Sequence, residues 1–115
     1  MEKDEVQEIA FKLVAAAGEA FSCFHQAVDA ARAGDLDTAG VQMAEGEKCL
    51  NLAHQAQFSL LSETADGEDV PVDVVLVHGQ DHLMNAILYN TVAKQIIRLY
   101  RDLASKGITF EEASA

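Results

Sequence analysis

Apolar residues recur at alternating steps of three and four along most of this 115-residue chain, and the recurrence breaks at two internal places. Such spacing puts one side chain per turn on the same helical face, so the chain must fold as helices that bury one stripe against another. In the first run the stripe is Val6, Ile9, Leu13, Ala17, Ala20, Phe24, Val28 and Ala31. It stops at RAGDLD, where Gly34 can take the left-handed conformation that closes a helix and Asp35 can cap the next one. The second run, from about Leu36 to Glu63, carries Leu36, Ala39, Met43, Gly46, Leu50, Ala53, Gln57 and Leu60. It stops in TADGEDVP, whose Pro71 disfavours helix at Val70. Asp73 is the candidate cap of a third helix, with Val72 and Val77 spaced for a hydrophobic staple. Lys94, Arg98 and Arg101 are expected in its last turns, near the negative end of the helix dipole.

No segment alternates with the period of a strand, so the predicted fold class is all-α. Three helices of roughly 25 to 35 residues with short connections imply an antiparallel three-helix bundle. Residues 1–115 read as a single helical domain with a flexible tail at about 107–115, where ITFEEASA has no helical pattern. The Met and Phe residues are expected to fill the core. Cys23 and Cys49 lie in apolar helical sequence without CxxC spacing, which reads as two reduced core thiols. His25 and His54 read as structural packing residues.

A net charge of -11 with only eight Lys and Arg excludes the usual nucleic-acid binder, because phosphate contacts need clustered cations. It also argues against an anionic membrane surface. MEKDEVQEIAF has no apolar core behind a basic start, and no stretch approaches the roughly 18 apolar residues of a membrane span. A cytoplasmic protein without direct membrane insertion is expected.

The third helix is more apolar than a three-helix bundle requires. VDVVLV and LMNAIL cover most of its circumference, which predicts self-association. Within LVHGQDHLMNAIL, His78, Asp81, His82 and Asn85 follow steps of three, four and three and form one polar stripe. A buried Asp81 with no Lys or Arg within a turn requires compensation from outside its own helix. Copies of Asp81 converging at a symmetry axis would hold a hard cation such as Mg²⁺ or share a proton. A histidine near a helix start serves as a metal ligand or as a nucleophile that carries a phosphoryl group. His78, in the second turn, suits the second use, with the helix dipole favouring an incoming phosphate and Gly79 leaving the surface open for a partner.

The segment LVHGQDHLM resembles the signature of the lactose/cellobiose-specific enzyme IIA components of the bacterial phosphotransferase system, usually HAQDHLM. AGEA, ARAGD and CLNLAHQAQFSLL extend the likeness over nearly the whole chain. The resemblance implies a homotrimer of three-helix subunits, a nine-helix bundle. It implies that His78 carries the phosphoryl group and that Asp81 is the metal-binding aspartate shared at the trimer axis. The implied partners are the phosphocarrier protein HPr as donor and a cysteine of the cognate IIB component as acceptor. Gln80 and His82 are candidates for orienting the site. Gly79 departs from the usual Ala, and glycine in a helix costs roughly 1 kcal/mol relative to Ala.

Three other readings fit parts of the pattern. His78 and His82, an i, i+4 pair, could bind metal with His54 or a glutamate in a metal-binding helical bundle. A histidine phosphotransfer domain of a signalling relay shares the nucleophile but has no use for Asp81. A structural interaction bundle would use the polar stripe to fix register.

Overall fold

The computed structural model describes residues 1–110, and the chain folds into three helices: α1 (Lys3–Arg32), α2 (Leu36–Ala65) and α3 (Val74–Ser105). No strand occurs among the described residues. Both internal caps form as the sequence requires. The Asp35 carboxylate accepts from the Thr38 N–H at 3.0 Å and from the Thr38 hydroxyl at 2.7 Å. Asp73 accepts from the Leu76 N–H at 3.0 Å and from Gln7 Nε2 on α1 at 3.0 Å. These bonds hold both carboxyls below the usual carboxylate range, the side-chain partners Thr38 and Gln7 being the largest cause in each case. Gly34, with φ of 86°, makes the left-handed turn between α1 and α2.

The stripes read from the spacing become the core. Val6, Leu13, Ala17, Ala20, Phe24 and Ala31 of α1 meet Ala39, Leu50, Ala53 and Leu60 of α2, and Leu76, Leu83, Ala86 and Ala93 of α3. Each fully buried Leu or Phe contributes roughly 1.5–3 kcal/mol by leaving water. Both thiols are free and buried, as expected, and burial pushes each above its ordinary pKa.

α1 packs extensively against both other helices, whereas α2 and α3 touch each other sparsely. The result is a slab, 57 × 28 × 16 Å, with α1 and α3 running parallel. Gln7 to Asp73 at one end and the Arg32 guanidinium donating to the Tyr100 hydroxyl at the other fix that register.

Several expectations need correction. α3 continues to Ser105, so no cation lies in its last turn, and Lys94 instead pairs with Glu47 of α2 at 2.7 Å. Val72 and Val77 are mostly exposed, so the staple buries little. Phe24 is a core residue, but Phe11, Phe21, Phe58 and Met84 stand in the open. His25 and His54 are exposed instead of packed inside. Within the expected tail, Phe110 lies under the Arg32 guanidinium at 5.1 Å and edge-on to Tyr100 at 5.4 Å. The rest of the expected tail lies outside the described residues.

Candidate functional site

The core contacts of α3 divide its surface into four faces. Leu76, Gly79, Leu83, Ala86 and Ala93 face the core. His82 and Tyr89 lie on the α1 flank, Gln80 and Lys94 on the α2 flank. Opposite the core runs an exposed stripe of Val74, Val77, Asp81, Met84, Leu88, Val92 and Leu99. A helix turns about 100° per residue, so His78 and Met84, three positions either side of Asp81, diverge from it by about 60° in opposite directions.

His78 is exposed in the second turn of α3. His82 sits one turn further on, and the two rings meet edge to face with centroids 4.4 Å apart. His82 rests on α1, where a Cβ at Gly18 would stand 3.9 Å from its Nδ1. Gly18, Phe21, His82 and Asn85 line a groove of about 260 Å³ between α1 and α3. Beyond the groove, Tyr89 stacks on Phe21 at 4.6 Å and hydrogen-bonds His25 Nδ1 at 2.9 Å. The His25 Nε2 lies 3.7 Å from Asp29. Burial, and then the Asp29 charge, raise the Tyr89 hydroxyl above its usual pKa.

The structure therefore joins His78 to His82, but not to Gln80. Gln80 Oε1 accepts from Gln57 Nε2 of α2 at 2.7 Å, on the flank away from His78. Asp81 is exposed within the chain, and its nearest polar partner is Asn85 Nδ2 at 3.4 Å. The expectation that it is a buried charge fails for the single chain.

Two further expectations are overturned. Gly79 does not hold the surface open. It is buried, and a Cβ there would come within 3.1 Å of the Ala10 carbonyl oxygen and of Leu13 Cβ. The positive end of α3 is not free for phosphate either, since the Asp73 carboxylate already occupies its first-turn N–H groups. The metal-bundle arrangement does not form: among the described residues no three His, Cys, Asp or Glu side chains come together as a metal site. His54 lies on α2 beside Asn51 and Phe58, in a separate depression.

Gly18, Phe21 and Tyr89 were not singled out from the sequence, and His25 was read only as a packing residue. The signal for the three on α1 is a second stripe at 18, 21 and 25, which acquires meaning only once the register of α1 on α3 is known.

The sequence matches the family described as "PTS system, Lactose/Cellobiose specific IIA subunit" over residues 8–101. The lactose-specific EIIA component of Staphylococcus aureus strain N315 is 44% identical over 101 residues, which cover 88% of this chain and 98% of that protein. Among solved structures, the cellobiose-specific enzyme IIA from Bacillus anthracis has a TM-score of 0.86 at 35% identity, covering 92% of this chain and 95% of that one. A chain of the solution structure described as the IIA(Chitobiose)-HPr complex of the N,N'-Diacetylchitobiose has a TM-score of 0.76 at 30% identity, covering 90% of this chain and 99% of that one.

Proposed function

The chain belongs to the lactose/cellobiose-specific IIA subunit family of the phosphotransferase system, and on that premise we propose that His78 carries a phosphoryl group from HPr to a cysteine of a cognate IIB component. One observation carries this reading: the histidine of HGQDHLM is exposed and meets edge to face the ring of His82, which lines the α1/α3 groove.

In the proposed reaction a neutral imidazole nitrogen of His78 attacks phosphorus in line as the donor leaves. The phosphoramidate so formed keeps enough transfer potential for the IIB thiolate to displace His78 in turn. The protein contributes positioning and charge stabilisation more than covalent chemistry. His82, within a ring's reach, can donate an N–H to a phosphoryl oxygen and limit rotation of His78. The protein is then a transferase component with a phosphohistidine intermediate, working in the cytoplasm. No described helix is long and apolar enough to cross a membrane.

The exposed apolar stripe centred on Asp81 supports self-association along α3, and the family resemblance implies that the assembly is a homotrimer about that axis. An uncovered row of Val, Met and Leu favours association, and a lone carboxylate in that row is tolerated where copies of it meet a cation or a proton. The donor chemistry fits Mg²⁺, a hard ion that takes carboxylate oxygen, and no lysine or arginine lies within a turn of Asp81 to compete. Asp81 would hold the ion, which would neutralise the axial charge. Gln80 would then act from the α2 flank, which a cyclic assembly turns toward the next copy.

The test is intact mass after incubation with phosphoenolpyruvate and the two general phosphotransferase proteins. The expected result is one acid-labile phosphoryl per chain for the wild type and none for His78→Ala. A phosphorylated His78→Ala, or no gain in either with active donor proteins, would reject the reading.

A further inference from the structure

The two cysteines of the chain lie outside the His78 site, on the seam between α1 and α2. That seam is closely packed, because a Cβ at Gly46 would stand 2.5 Å from the Phe24 ring, so α2 leaves out a side chain where α1 approaches. Cys49 lines a groove of about 540 Å³ between the two helices, together with Ala16 and Glu19 of α1. Cys23 follows Glu19 by one turn on α1, and Cys49 follows Glu45 by one turn on α2. The helices run antiparallel, so Glu19 faces Cys49 and Cys23 faces Glu45. The sulfurs occupy one diagonal of this rectangle and the carboxylates the other.

The electrostatics follow the same arrangement. Burial first, then Glu19 and Glu45, raises the Cys23 thiol above its ordinary pKa. Burial, Glu19, Cys23 and Glu45 raise Cys49, with only Lys48 opposing. Both thiols thus feel the same two carboxylates, and Cys49 also feels Cys23. Phe24 against Gly46 and Glu19 beside Cys49 put Cys23 level with residues 45 to 47 of α2. Cys23 then stands roughly 3–6 Å from Cys49 along the helix axes, at 1.5 Å per residue. A disulfide spans about 4.4–6.8 Å between Cα atoms, an offset of the same size where helices approach closely.

We propose that Cys23 and Cys49 are a redox pair, which a disulfide of low molecular weight converts into a covalent bond between α1 and α2. The inference is independent of the phosphoryl-carrier reading. Cys49, which lines the groove, attacks first: its thiolate bonds to one sulfur of the external disulfide and expels the other as a thiolate, which takes up the Cys49 proton. The Cys23 thiolate then displaces the second external sulfur from Cys49, and that sulfur leaves as a thiol. The pair is oxidised by two electrons, and the external disulfide is reduced to two thiols. Raised thiols hold little thiolate at neutral pH, which keeps the pair reduced until oxidant is abundant. The bond would tie α1 to α2 across the turn at Gly34. Gly79, next to His78, meets Ala10 and Leu13, about three turns along α1 from Cys23, so the bond acts on the hairpin and not on the phosphoryl site.

The test treats the folded wild type and Cys23→Ser with bis(2-hydroxyethyl) disulfide, a small uncharged oxidant, and reads intact mass after alkylation of remaining thiols. The wild type should lose two hydrogen atoms and keep no oxidant fragment, with Cys23 and Cys49 joined in one chain and released by dithiothreitol. Its thermal midpoint should rise by on the order of 10 °C, the scale of a crosslink that restricts the unfolded chain. Cys23→Ser should instead keep one oxidant fragment on Cys49, because no second thiol displaces it. A wild type that keeps the fragment as the variant does overturns the proposal, since the sulfurs then do not meet. Unreacted thiols in both proteins, or bonds between chains instead of within one, overturn it as well. An internally bonded wild type that melts below the reduced protein does the same, because the bond then closes only by distorting the fold.

Discussion

The covered and open faces of α3 are both apolar but are built from different residues. The covered face carries Gly79, Ala86 and Ala93 alongside Leu76 and Leu83, so α1 approaches until a Cβ at 79 would crowd the Ala10 carbonyl. The open face carries Val77, Met84 and Leu88 on either side of one carboxylate. Small residues admit a neighbouring backbone, and large ones offer area to a surface that is not yet there. The difference teaches that one helix can hold two hydrophobic seams: one folds the chain, and the other, on the proposed trimer, would join copies of it.

The sharpest contrast is between two leucines. Leu83→Ala should lose about 2–5 kcal/mol of folding stability by leaving a cavity, as measured by urea unfolding. Leu88→Ala should stay within about 0.5 kcal/mol when the chains are dilute, as exposed positions do, yet weaken association. Equal losses at the two sites would erase the distinction between the faces.

Next in size is Asp81→Leu. Replacing a converging cluster of carboxylates with apolar side chains should stabilise the assembled protein by roughly 1–4 kcal/mol. A lower thermal midpoint at high protein concentration would mean that Asp81 does not lie at an axis.

Two of the four glycines in helix interiors, Gly40 and Gly79, offer a finer comparison. Gly40 has no neighbour within 4 Å, so Gly40→Ala should stabilise by about 1 kcal/mol through helix propensity alone. At Gly79 the 3.1 Å approach to backbone offsets that gain, and Gly79→Ala should stabilise clearly less. Equal gains would show that α1 does not press on α3 there.

How much of this was legible in the sequence follows from what is local. The helix stripes, the capping roles of Asp35 and Asp73 and the break at Gly34 depend on residues a few positions apart, and each formed where the spacing put it. The polar stripe that joins His78 to His82 is likewise a one-turn relation. The partners of these residues were hidden because they depend on helix register. Nothing in HGQDHLM reveals that Gln80 bonds Gln57, that Gly18 underlies His82, or that Phe110 returns to Arg32. Exposure of Phe58 and Met84 was hidden for another reason: the periodicity of α2 and α3 shows that stripes exist but not which of them a sparse α2/α3 contact leaves uncovered.

The smallest expected effect lies in the cap that fixes both faces of α3 at their common end. The Asp73 carboxyl titrates below its unfolded value, so its contribution is present above about pH 4 and is lost as pH falls through the depressed folded value. Asp73→Asn should keep most of the cap and flatten this part of the acid limb of thermal midpoint against pH. An unchanged acid limb would remove the carboxylate from the explanation.

Whether the open face of α3 joins copies of the chain is decided most directly by sedimentation equilibrium of the wild type across a wide concentration range. The prediction is a species of three times the chain mass, dissociating when Leu88 is replaced by Asp. A single-chain mass at every concentration would contradict it, leaving the stripe around Asp81 and the site beside it without the neighbour on which both depend.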